Sequence, residues 1–162
     1  MIAKFAARTA TALSLVAGMA MAAGAQTQTV NFEVKPINQF SITSTAVTLT
    51  ITTATAGSDP TPVSDNTSVW AVTTNQTNAK ISANIPTDMP AGTTLGVLLA
   101  APAGATSTAK NLASGAAQDL VTGLTKVKGN ALTVTYTLSA TAAAGVIAAD
   151  SRVVTYTMTP GT

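Results

Sequence analysis

The sequence predicts an all-β protein, an antiparallel sandwich of about seven to nine short strands in a single domain. Three observations predict it. Apolar and polar residues alternate in one stretch after another, and turn-forming residues separate those stretches at near-regular spacing. No window sustains a helical period beyond about three turns. Alternation signals a strand with one dry face, because successive side chains on a strand point to opposite sides of the sheet.

Met1 to Ala25, at the start of the chain, has the layout of an export signal: Lys4 and Arg8 make a positive start, Leu13 to Met21 an apolar centre, and Ala23-Gly-Ala25 a small-residue cut site. The apolar centre falls short of the roughly 20 residues that a membrane helix needs. Cleavage before Gln26 would leave residues 26–162, an ordinary size for one domain with its own core. No later apolar run reaches spanning length; Leu95 to Ala101 stops at Pro102. The expected address is outside the cytoplasm, in a periplasm, at the cell surface or in the medium, and the signal has a bacterial character.

Val30, Phe32 and Val34 share a parity and make the first alternating stretch. It begins almost at the cut, and Pro36 separates it from the next stretch. It reads as the domain's first strand or as a strand added to a neighbour's sheet, where main-chain bonds supply affinity and alternate side chains supply register. Phe40 and Ile42 come next, then Val47, Leu49 and Ile51. Gly57 to Asn66 is a long loop by composition. Trp70 and Val72 come after it, then a tight turn at Thr74 to Asn78, then Ile81, Ala83 and Ile85. Pro86 to Gly92 breaks that strand from Leu95, Val97 and Leu99. Ala113 to Val121 reads either as a short helix or as a loop-and-strand passage. Lys128-Gly-Asn130 has hairpin-turn composition. Leu132, Val134, Tyr136 and Leu138 form the clearest alternating set, and Val154, Tyr156 and Met158 repeat it.

The polar partners in these stretches are mostly threonine, 29 among the residues from Gln26 onward. A β-branched side chain suits a pleated surface, and its hydroxyl keeps the outer face wettable without charge.

Catalytic chemistry has little to work with. The chain has no histidine and no cysteine, which removes the commonest general base, the usual nucleophilic triad, thiolate metal sites and disulfides. Ser107-Thr-Ala-Lys110 has Ser-x-x-Lys spacing but sits in an Ala/Gly/Thr-rich stretch, away from any helix start. The acids lie in turn-like contexts and suggest no glycosidase pair. Asp59, Asp65 and Asn66 share the long loop, where calcium is conceivable on ligand type but ordinary turn chemistry explains the same residues. Phe32, Phe40, Trp70, Tyr136 and Tyr156 each keep parity with aliphatic neighbours, as core rings do; Trp70, or else one of the tyrosines, is the candidate ligand-contacting ring among them. No cofactor is expected and the chain does not read as an enzyme.

Charge is scarce. Lys4 and Arg8 carry the whole formal excess of +2, and beyond Ala25 six basic residues balance six acidic ones. That neutrality excludes a nucleic-acid footprint, which needs clustered basic residues in the folded part. Surfaces of small domains ordinarily carry about 25–35 % charged residues. A sheet protein so poor in charge is weakly defended against edge-to-edge pairing.

The closing segment, Ala143-Ala-Gly145 leading to Val153-Val-Thr-Tyr-Thr-Met158, resembles that of bacterial fimbrial and coat-type subunits, without their usual cysteine pair. The resemblance covers the last third of the chain and implies an immunoglobulin-like sandwich. Trp70-Ala-Val72 is similar to the motif of WxL-type wall-binding domains, with valine in place of leucine. The functional expectation is a non-enzymatic exported subunit of a surface layer, coat or filament. It would associate with itself or other surface subunits through sheet edges, with Val30, Phe32 and Val34 as the strand-donating contact. The alternative is a module binding wall or extracellular polysaccharide through Trp70 and the Asp59 to Asn66 loop.

Overall fold

The computed structural model describes residues 24–43 and 46–162. The expected export signal lies outside the described residues but for Gly24 and Ala25. Contacts divide the chain into Met1–Glu33 and Val34–Thr162. In the first unit the described residues are exposed and belong to no helix or strand.

The second unit is all-β. Its strands are β1 Asn38–Ile42, β2 Val63–Thr74, β3 Ala79–Asn84, β4 Thr93–Leu99, β5 Thr106–Ser107, β6 Lys110–Asn111, β7 Gln118–Leu124, β8 Val127–Ala140 and β9 Thr155–Thr159. Among the described residues the only helical turn is Ala142–Ala144. A five-stranded sheet runs β1-β2-β8-β4-β6 and a four-stranded sheet β5-β7-β3-β9, with every pairing antiparallel. The larger sheet curls into a half-barrel.

The core forms where the alternation predicts. Trp70 and Val72 of β2, Val97 and Leu99 of β4 and Val134 of β8 meet Ile81 and Ala83 of β3 and Leu120, Val121 and Leu124 of β7 in one buried cluster. Both sheets therefore share a single core. The Trp70 indole N–H donates to the Ala100 carbonyl at 3.2 Å, so the ring is buried without an orphaned donor. Outward positions of β8 and its neighbours pair through hydroxyls: Ser64 with Thr137 at 2.8 Å and Thr94 with Ser139 at 2.6 Å. Cross-strand pairs of this kind stabilise a sheet by roughly 0.2–1 kcal/mol each.

Four sequence expectations need correction. Among the described residues Val30, Phe32 and Val34 join no ladder, and neither do Val47, Leu49 and Ile51, although the latter three are half-buried in alternation. Periodicity reports which side of an extended chain is dry; it does not supply a neighbour with free N–H and C=O groups. The loop after Gly57 ends before Val63, so Asp65 and Asn66 lie in β2, where the register shifts between Asp65 and Ser68. The Asp65 carboxylate accepts from the Thr67 N–H and hydroxyl, a local bond that lets the strand bulge. Lys128-Gly-Asn130 is inside β8, where three residue steps face two of β2, and the chain passes from β7 of one sheet to β8 of the other through Thr125 and Lys126, the latter at φ 45°. Gly-Asn is as suited to a bulge as to a turn. Ala113 to Val121 resolves as loop leading into β7.

Candidate functional site

Concavity is a poor guide in this molecule. Depressions of about 220 and 420 Å³ run along β1–β2 and β2–β8, the second bordered by Lys128, Gly129 and Asn130. Neither brings an acid, a base and a nucleophile together. Ser107 of the Ser-x-x-Lys tetrapeptide donates its hydroxyl to the Leu99 carbonyl, so its proton is already committed to the backbone. Among the described residues no group of three or more His, Cys, Asp or Glu is placed to hold a metal ion. Asp59 accepts from the Ala142 N–H at 2.8 Å, tying the loop before β2 to the turn after β8. Both carboxylates thus serve the fold, Asp59 across the chain and Asp65 within its own strand.

The edges of the two sheets are more informative. On one side, β5 and β6 are two residues long, and the short passage between them crosses from one sheet to the other. Very short edge strands are one of the means by which sheet proteins avoid pairing with one another. The other side has β1 and β9, five residues each, Asn-Gln-Phe-Ser-Ile and Thr-Tyr-Thr-Met-Thr. Phe40 of β1 and Tyr156 of β9 lie 6.1 Å apart between ring centroids, which places these two edges on the same side. Neither strand contains a charge, a proline or a register shift against its inner neighbour. One side of the unit is guarded and the other is not.

The side chains behind the open side are half-buried and apolar: Phe40, Ile42, Val154, Tyr156 and Met158 all pack against the core. The Tyr136 and Tyr156 hydroxyls bond to each other at 2.7 Å, linking β8 of one sheet to β9 of the other. Burial, reinforced by this bond, pushes the Tyr156 phenol well above its ordinary range. Tyr156 therefore stays neutral, and its bond to Tyr136 closes the gap between sheets with a polar clasp. Asp150 and Arg152 pair at 2.6 Å just before β9, and hydrogen bonds from Arg152 and Ser151 hold the Asp150 carboxyl below its usual value. Charge near the edge is thus internally balanced.

Of the residues predicted from sequence, Trp70 is 1 % exposed, in the core, with its N–H spent on Ala100. Val30, Phe32 and Val34 are 72, 92 and 76 % exposed, with no ladder partner among the described residues. Phe32 is an exposed ring, which Trp70 is not. Sequence reasoning missed the polar clamp at the start of β1: Asn75 accepts from the Ile37 N–H at 2.7 Å and donates to the Lys35 carbonyl at 2.9 Å. Beside it Thr74, 3 % exposed, donates to Asn38 at 2.7 Å, and Asn38 donates to Gln76. Composition marks Thr74 to Asn78 only as a turn; that it anchors the chain entering the open edge is a long-range fact.

No known family matches the chain, and neither the curated proteins nor the solved structures include one significantly similar to it.

Proposed function

We propose that this chain is an exported, non-enzymatic bacterial structural protein: an immunoglobulin-like β-sandwich subunit that builds a surface layer, coat or filament through its sheet edges. One observation carries the reading. The long uncharged edges β1 and β9 lie together on one side, while the opposite edges are cut to two residues each. A protein selected to remain alone would guard both sides. The alternating segment with Val30, Phe32 and Val34 at the surface supplies the complementary part, a strand available to a neighbouring subunit.

The neutral surface supports the same reading, since subunits without net charge do not repel as they approach. Threonine keeps the outer faces hydrated while edges pair. The polysaccharide alternative asks for a surface ring on the domain, and Trp70, its candidate, is spent on the core.

Size-exclusion chromatography and negative-stain imaging of the purified protein test the proposal. Ordered oligomers are expected, and deleting residues 26–35 is expected to halt growth into the larger species while leaving a folded domain. A protein that remains monomeric at every concentration would sink it, and retention of that monomer on a wall-polysaccharide column would favour the alternative.

A further inference from the structure

We propose that β9 is a self-complementary contact: it pairs antiparallel with β9 of a second copy about a two-fold axis through Thr157, joining two four-stranded sheets into one of eight. The inference rests on the assembly reading and specifies which edge mates and with what.

The strand reads almost the same from either end, Thr155-Tyr-Thr-Met-Thr159. With the axis at Thr157, Thr157 faces its own counterpart, Thr155 faces Thr159 of the second copy, and Tyr156 faces Met158 of the second copy. Residues directly opposed in an antiparallel pair point to the same face. Every outward position therefore meets a threonine, and every inward position sets a thioether beside an aromatic ring, a favourable contact. The molecule already uses the outward pairing twice, at Ser64–Thr137 and Thr94–Ser139. The strand is suited to such an approach: its register with β3 is unbroken from Lys80↔Thr159 to Asn84↔Thr155. Thr155, Thr157 and Thr159 are exposed, and no second strand borders β9 among the described residues. Pro160 ends the ladder at the last paired residue, because it has no N–H to offer. An axis at Thr157 uses all five residues, whereas an axis at either neighbour replaces strand residues with Val153 or Pro160. A two-fold contact of this kind is closed on itself, so it yields dimers, and larger assemblies need a second contact such as the amino-terminal strand.

The absence of cysteine makes the test clean. In Thr157→Cys the two thiols would face each other across the axis. Opposed Cα atoms in antiparallel pairs are about 4.5–5.5 Å apart, within the range a disulfide spans. Mild oxidation at low protein concentration is expected to convert most of the variant into a covalent dimer on a non-reducing gel. Thr106→Cys, on the guarded β5 edge, should remain monomeric under the same conditions. Thr157→Lys, at an exposed position, should keep the native circular dichroism and lose the dimer in sedimentation velocity. If Thr157→Cys cross-links no faster than Thr106→Cys while the unmodified protein still forms ordered oligomers, the β9 contact is wrong and the assembly reading survives. If the unmodified protein is also monomeric throughout, both fall.

Discussion

Replacing Trp70 by alanine removes the largest side chain in the core and leaves the Ala100 carbonyl without its donor. We expect a loss of about 3–5 kcal/mol, read from the shift of the urea midpoint, because large aromatic-to-alanine changes leave cavities that the core refills only in part. Tyr156 offers a second residue-scale test. Its pKa is raised in the folded protein above the ordinary 10.0, so the fold holds the proton more tightly than the unfolded chain does. That contribution is complete below pH 10.0 and is lost as pH rises toward the folded-state value. Stability should therefore fall on the alkaline side of pH 10.0, and thermal melts of Tyr156→Phe should show a shallower decline there. Equal slopes for the two proteins would show that the phenol is not the group responsible.

At the scale of the element, β8 is the informative strand. It runs unbroken for 14 residues although its first third contains Gly129, Asn130 and Ala131, the last at φ 52°. A residue with a Cβ in that left-handed region carries a cost of about 1–2 kcal/mol that glycine avoids. Ala131→Gly is expected to raise stability modestly, by about 0.5–1 kcal/mol, since the same change also loosens the unfolded chain. Chemical denaturation decides the sign, and a destabilised variant would mean that the Ala131 methyl group contributes more than its backbone costs. The irregularity sits opposite Trp70 to Val72, two steps of β2 that face three steps of β8, from Leu132 to Gly129. The bulge fits the curl of the larger sheet, because an extra residue on one strand increases local twist.

At the scale of the whole molecule, charge has little influence. With six of each sign beyond Ala25 and two ion pairs among the described residues, Arg152–Asp150 just before β9 and, on adjacent strands, Lys80–Asp119 at 3.0 Å, long-range electrostatics have little to act on. Both side chains of that pair are well exposed, and such pairs contribute only about 0–1 kcal/mol. Under the proposed assembly, oligomer mass measured by light scattering is accordingly expected to change little between low salt and about 1 M salt, where the screening length shrinks to roughly 3 Å. Dissociation at high salt would mean that charge contacts, and not strand pairing, hold the copies together.

Alternation of oily and hydroxyl-bearing residues was enough to determine the class of fold, most of the longer strands and the buried parity of Trp70, Ile81, Leu99 and Val134. Those features depend on which way successive side chains point, a local property of extended chain. The lack of histidine and cysteine likewise bounded the chemistry without reference to shape. The tertiary structure decided what local pattern does not encode: that Lys128-Gly-Asn130 bulges within a strand, that Val30 to Val34 and Val47 to Ile51 have no ladder, and that Trp70 has no surface to offer. It also decided the asymmetry of the edges. A strand becomes an edge only when the remaining strands have taken their places, so the open side formed by β1 and β9 belongs to the order of the sheets and to no single stretch of sequence.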